Sequence, residues 1–306
     1  MAATLQPQLQ PHHPPKPHSI HEYAGLAKPA HLSRLEASSR KHVHIEPLSI
    51  DVDDSQDGFV PGFLHLPPDF LSDSNAIPGQ PSQPPTHHHR TAAILLSGAG
   101  GGVTGPSGMY ISLACKLASL GKGIPALRLD YRYSAQIKQC VNDAKAGMQY
   151  LRDMYGLDRF VLVGWSFGGA VVFSVAADDP RVIGCATVAS QTHDAEGIKH
   201  LAPRPVMLLH GSGDNTLAVG NSQRLWHWYG EEGKRMLHVF EQDNHSLSRN
   251  AEKAEEMLCE FVAQCAGLRV PEEERKSVIG VEVVEDGERH ELMEKGGDLR
   301  APERED

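Results

Sequence analysis

Residues 164–169 read Gly-Trp-Ser-Phe-Gly-Gly, an order suited to nucleophilic chemistry. Ser166 stands between an apolar, strand-like run at 159–163 and a helix-like run of small residues at 167–177. Glycines on either side of a serine suit a turn so sharp that side chains at those places would collide. Such a turn exposes the Ser166 hydroxyl at a helix N-terminus. A second chemically suggestive stretch is Ser97-Gly98-Ala99-Gly100-Gly101-Gly102, directly after the apolar run 92–96. Its bare backbone could approach a substrate closely. It is not a phosphate cradle of the usual kinds. It lacks the Gly-Lys-Ser/Thr ending, and no acid stands about 20 residues on, Asp130 being too far.

These stretches need a scaffold, and the pattern from residue 91 onward supplies one. Apolar strand-like runs at 92–96, 124–129, 159–163, 182–189, 205–210 and 236–240 alternate with helix-like runs at 106–120, 135–155, 167–177, 218–229 and 251–265. Strand–helix alternation predicts a mostly parallel central sheet with helices on both faces, an α/β fold. Active sites of such sheets lie beyond the carboxyl ends of the strands, where Ser166 and the glycine loop both fall. Upstream, 42–52 and 59–66 alternate apolar and polar residues around an Asp-Asp-Ser-Gln-Asp-Gly turn, which predicts a β-hairpin at the sheet edge. Residues 1–41, rich in Pro, Gln and His, read as a disordered tail; 68–90 read as a Pro-rich loop; 268–306 read as an acidic, largely disordered tail, with 278–284 able to add a short strand. The domain proper is then 42–267. Deletion of 1–38 or 271–306 is expected to leave it stable.

Four segments together resemble the α/β-hydrolase superfamily, and within it the lidless dienelactone-hydrolase-like serine hydrolases. They are 97–101, Asp130-Tyr131-Arg132, the Ser166 turn, and His210-Gly211-Ser212-Gly213-Asp214. The resemblance covers about residues 42–265. It implies a triad in the chain order serine, acid, histidine. Asp214, just after the run 205–210, stands where the family usually carries its acid; Asp194 is the alternative on the preceding strand. His245, in Gln242-Asp243-Asn244-His245-Ser246-Leu247, follows the last strand and can reach the serine while the acid fixes its tautomer. His210 precedes the acid, breaks the chain order and reads as a packing residue; His193 and His200 are more distant candidates. An oxyanion hole would take one backbone N–H from Phe167 and one from Ala99, with Gly100 as alternate. Where the family usually has a histidine before that glycine, this chain has Ser97. Trp165 and Phe167 are candidate substrate walls, with Trp226 and Trp228 further ones. Arg128 and Arg132 read as structural, in a salt-bridged turn around Asp130.

The reading that follows is acyl transfer from a carboxylic ester or thioester to Ser166, then to water, without metal or organic cofactor. Acyl transfer to another acceptor, or a hydrolase fold used only for binding, are the alternatives. Some 15 residues separate the runs 182–189 and 205–210, too few for an inserted lid, which points to a small or accessible acyl substrate.

Composition bounds what else the chain could be. Its 306 residues suffice for one large domain. The net charge is −10, of which −7 falls on 271–306, and no basic stripe exists to meet nucleic acid. No run approaches a membrane span. The five cysteines, Cys115, Cys140, Cys185, Cys259 and Cys265, are odd in number and lack C-x-x-C spacing, which reads as free thiols in a reducing compartment. A cytoplasmic location is expected, with an N-terminal transit peptide as the alternative. The histidines at 12, 13, 18 and 21, and the triple His87-His88-His89, read as solvated rather than metal-binding.

Overall fold

The computed structural model describes residues 19–54, 58–68, 70 and 90–303. His12, His13, His18, His87, His88 and His89, and nearly all of the Pro-rich loop, lie outside the described residues. Eight strands form one sheet: β1 (His44–Asp51), β2 (Phe59–Leu66), β3 (Thr91–Leu96), β4 (Ala126–Leu129), β5 (Arg159–Trp165), β6 (Val182–Val188), β7 (Val206–Gly211) and β8 (Arg235–Phe240). Their order is β1-β2-β4-β3-β5-β6-β7-β8. β1 pairs antiparallel with β2, and β2 antiparallel with β4; the remaining pairings are parallel. The expected hairpin thus forms the sheet's edge through β1, while β2 is interior and nearly all buried.

The apolar runs are continuous because both faces of the sheet are covered. Along β3, Ala93 and Leu95 face one cluster, while Ala92, Ile94 and Leu96 face the other. The period of two simply divides the run between the two faces. Val161, Val163 and Trp165 of β5 join the first cluster, Phe160 and Leu162 the second. On the first face lie α1 (Leu32–Ser39), α2 (Met109–Ser119) and α6 (Ala251–Cys265); on the second lie α3 (Ile137–Tyr155), α4 (Phe167–Asp178) and α5 (Gly220–Tyr229). The helices stop with ordinary chemistry: Gly156, in the left-handed region at φ 67°, closes α3 by donating its N–H to Arg152 O at 3.0 Å.

Both ends of the described chain depart from the disorder expected for them. A 3-10 turn at Ile20–Leu26 and helix α1 bury Ile20, Tyr23, Leu26, Leu32 and Leu35. Ile20, Tyr23 and Leu26 recur every three positions, the 3-10 period, in a piece too short to register as an amphipathic helix. Ile20, Tyr23 and Leu26 pack on Phe63 of β2. At the other end, the helical turn α7 (Glu272–Glu274), a π-type turn at Arg275–Ile279, a 3-10 turn at Asp286–Glu288 and helix α8 (Arg289–Gly296) run back across the domain. Val278, Ile279, Val283, Val284 and Met293 are buried in the process. The short strand expected at 278–284 is absent, because Arg275–Ile279 is helical and the apolar pairs dock as plugs against the first cluster.

This gives the first expected result. Leu35→Ala, within a segment that the sequence reads as a dispensable tail, costs about 2–5 kcal/mol of stability, as large-to-small changes at fully buried sites do. Denaturant unfolding reads it; a change under about 0.5 kcal/mol, the scale of surface substitutions, would mean that α1 does not pack on the domain.

None of the five cysteines forms a disulfide; four are buried and Cys265 is half-buried. No helix among the described residues is long and apolar enough to cross a membrane.

Candidate active site

The site lies at the carboxyl ends of β3, β5, β7 and β8. β5 ends at Trp165, and Ser166 has φ 54° and ψ −119°, outside the regions L-residues normally occupy. This strained turn exists because its neighbours are glycines. A Cβ on Gly164 would strike the Gly168 carbonyl, and one on Gly168 would strike the carbonyls of Ser97 and Leu96. The helix α4 can therefore start directly against β3 and the glycine loop.

β7 delivers Asp214, three residues beyond Gly211. Its Oδ1 accepts from the backbone N–H groups of Thr216 (2.9 Å) and Leu217 (2.7 Å), and its Oδ2 accepts from His245 Nδ1 at 2.7 Å. His210 approaches the same Oδ2 through Nε2 at 3.1 Å. That nitrogen also faces Leu217 O at 2.7 Å, so it carries the proton, and Nδ1 accepts from the Ser222 hydroxyl at 2.7 Å. His210 is thus a donor to the acid rather than mere packing. Burial alone would raise the Asp214 carboxyl, but the hydrogen bonds from His210, His245 and Leu217 outweigh it and hold the group well below the usual carboxylate range.

β8 delivers His245 through a loop fixed from several sides. Asp243 accepts from the N–H groups of Asn244 (2.9 Å) and Arg249 (3.1 Å) and from Asn250 Nδ2 (2.7 Å). Ser107 Oγ donates to Ser246 O at 2.9 Å, and Trp165 Nε1 donates to His245 O at 3.1 Å. Trp165 is fully buried, its ring centroid 5.4 Å from that of His245. It holds the histidine loop and does not wall a substrate. Phe167 is also buried, edge-on to Tyr131. Trp226 and Trp228 belong to α5 itself and lie half-buried against the second cluster, under the cations of Arg235 and Lys199. Asp194 pairs instead with exposed His193 at 3.4 Å, and His200 is exposed.

One group was not foreseen. Glu303 reaches in from the chain's C-terminal segment. Its Oε1 accepts from Ser166 Oγ at 3.1 Å and lies 3.4 Å from His245 Nε2; its Oε2 accepts from the Ala99 N–H. Ser166 is only 4 % exposed and His245 not at all. Burial pulls the His245 imidazole down, but hydrogen bonds to Asp214 and Glu303, and their charges, push it up to about 9.

Asp130, placed after β4, accepts from Gly102 N–H (2.8 Å), Tyr23 OH (2.7 Å) and Arg300 Nη1 (3.1 Å). The turn expected between Asp130 and its flanking arginines does not form. Arg132 pairs with Asp143 and Asp54, both at 2.6 Å, while buried Arg128 donates to His65 and to the carbonyls of Val103, Leu26 and Ala27. The acid's cation is Arg300, 170 residues away, beyond the reach of any local pattern. Among the described residues, no cluster of three or more His, Cys, Asp or Glu is placed to hold a metal ion.

The α/β-hydrolase fold family matches the chain over residues 85–235. Solved structures share the fold at low identity. A dienelactone hydrolase from Anabaena variabilis is 16 % identical with a TM-score of 0.56, covering 72 % of this chain and 98 % of its own. A serine hydrolase without lid, XC6422 from Xanthomonas campestris, is 15 % identical at a TM-score of 0.52, covering 72 % and 94 %. Est1E from Butyrivibrio proteoclasticus is 16 % identical at 0.54, covering 72 % and 99 %. No curated protein matches the chain significantly in sequence.

Proposed function

On the premise that the chain is an α/β hydrolase in fold, similar to dienelactone hydrolase and to lidless serine hydrolases, we propose that it cleaves a carboxylic ester or thioester through an acyl-enzyme on Ser166. The observation that carries this reading is the convergence on one carboxylate. Ser166 Oγ, His245 Nε2 and Ala99 N–H all meet the carboxyl group of Glu303. A carboxylate is what ester cleavage leaves behind, so Glu303 stands in for the product acid. Its Oε2, which accepts from the Ala99 N–H, suits an oxyanion, and its Oε1, beside Ser166 and His245, suits the oxygen that is exchanged.

The steps follow from those positions. His245 Nε2 takes the Ser166 proton while Asp214 holds Nδ1–H. The serine oxygen attacks the carbonyl carbon, and the charge that develops on the carbonyl oxygen is met by the Ala99 and Phe167 N–H groups. His245 then gives the proton to the departing alkoxide or thiolate. A water then gives a proton to His245 and attacks the acyl carbon; the bond to Ser166 breaks as His245 returns that proton to the serine oxygen, and the acid leaves. No step calls for a metal or an organic cofactor. The short connection between β6 and β7 holds a single 3-10 turn at Glu196–His200 and inserts no lid there. That suits a small acyl group.

The test is a fluorophosphonate probe with intact-mass detection. Long incubation should add one probe to the wild-type protein, at Ser166, and none to Ser166→Ala. Equal labelling of both would place the nucleophile elsewhere.

A further inference from the structure

Glu303 is the tip of a segment anchored at two points over the site. Asp298, fully buried, accepts from Thr104 Oγ1 (2.6 Å), Thr104 N–H (3.0 Å), Gly105 N–H (2.7 Å) and the Ser97 hydroxyl. Ser97 opens the same glycine loop that carries Ala99. Two residues on, Arg300 pairs with Asp130 at 3.1 Å and donates to the Tyr23 hydroxyl. Between them, these anchors aim the third acidic or basic side chain, Glu303, at the serine.

We propose that residues 298–303 form an autoinhibitory strap: the chain's own C-terminal segment seats Glu303 as a product-like carboxylate on Ser166, His245 and Ala99, and an acyl substrate enters only when the segment lifts. The proposal rests on the serine-hydrolase reading above. Its chemistry is specific. A carboxylate removed from water is costly unless it meets charge and hydrogen-bond donors, and Glu303, 7 % exposed, meets the atoms proposed for catalysis. The contacts lie on loops at strand ends, not on the sheet, so the strap can leave without unfolding the domain. It also supplies the cover that the short β6–β7 connection does not.

A tethered competitor acts at an effective concentration of the order of millimolar, and lowers apparent affinity by the fraction of molecules that are open. Its removal should therefore raise kcat/KM chiefly through KM. The test compares the full chain with a chain ending at Pro302 and with Glu303→Gln, a variant of nearly the same shape. Both should react with fluorophosphonate, and turn over a p-nitrophenyl ester at low concentration, at least about tenfold faster. A synthetic peptide of residues 297–306, added to the chain ending at Pro302, should inhibit it competitively. Arg300→Ala, which loosens an anchor but keeps the carboxylate, should give an intermediate gain. Equal rates for the full chain and both Glu303 variants, with labelling still confined to Ser166, would overturn the strap and leave the nucleophile standing. Slower reaction of both variants would make Glu303 part of the machinery and overturn the strap as well. Failure of every form to label would overturn the nucleophile, and the strap with it.

Discussion

His245→Ala should lower kcat about 10⁶-fold, the scale on which loss of a triad base is felt. The expectation rests on position. Nδ1 is held to Asp214 at 2.7 Å, which fixes the proton there and leaves Nε2 to face the serine side. The same imidazole yields a pH dependence. Four polar groups bear on it: Asp214 directly, His210 through Asp214, Glu303 at Nε2, and the Ser166 hydroxyl through their shared oxygen. Burial lowers its pKa, and the bonds to the two carboxylates raise it to about 9. Below that pH the full chain carries an imidazolium, which cannot take the serine proton; above it the base is neutral. The acid limb of kcat/KM, which reports the free enzyme, should therefore fall near pH 9 in the full chain. Removing Glu303 takes away one of the two interactions that raise the pKa, so the limb should move to lower pH in Glu303→Gln. Identical limbs in the two proteins would mean that Glu303 does not sit on His245 in solution. Undiminished turnover by His245→Ala at any pH would remove it from the mechanism.

The site divides into parts that a sequence displays and parts that it hides. Ser166 was legible because the constraint is local: the turn tolerates no side chain at Gly164 or Gly168, and the glycines announce it. The strands were legible because two covered faces demand unbroken apolar runs, as in β3 and β5. Trp165 reads as a substrate wall in the sequence because residue type beside Ser166 does not say which way a ring turns. As the last residue of β5 it alternates inward, onto the cluster that backs the His245 loop. The two ends of the chain were hidden for another reason. Ile20, Tyr23 and Leu26 repeat every three residues for only seven residues, and Val278, Ile279, Val283 and Val284 come in pairs with no helical or strand period. Their partners are far along the chain. Ser97 meets Asp298 201 residues later, and Ser166 meets Glu303 137 residues later. An acidic tail looks solvated until the donors that receive its carboxylates are known.

Asp214→Asn should lower kcat by about 10⁴-fold with little change in unfolding midpoint, while Asp194→Asn should be nearly silent. The contrast follows from what each carboxylate touches. Asp214 Oδ2 accepts a hydrogen bond from His245 Nδ1–H, and Oδ1 is fixed by the backbone N–H groups of Thr216 and Leu217. An asparagine amide of the same shape keeps the oxygen-bound backbone contacts only by turning its NH₂ toward His245. That group donates and cannot accept, so the proton must move to the other ring nitrogen, and Nε2 stops being a base. Burial loses little, because the amide needs no counter-charge. His210 is affected in the same direction, since its Nε2–H faces the same oxygen at 3.1 Å. His210→Ala should therefore be a milder version of the same defect, leaving the Asp214–His245 bond in place. The Asp194 carboxylate pairs with an exposed imidazole at 3.4 Å, a pair of the kind that contributes little in water. Steady-state kinetics of the two asparagine variants on one p-nitrophenyl ester, both made in the chain ending at Pro302, separates the acids. A 10⁴-fold loss in Asp194→Asn with Asp214→Asn near wild type would move the acid to the end of β6 and reassign the bond at His245 to a purely structural role.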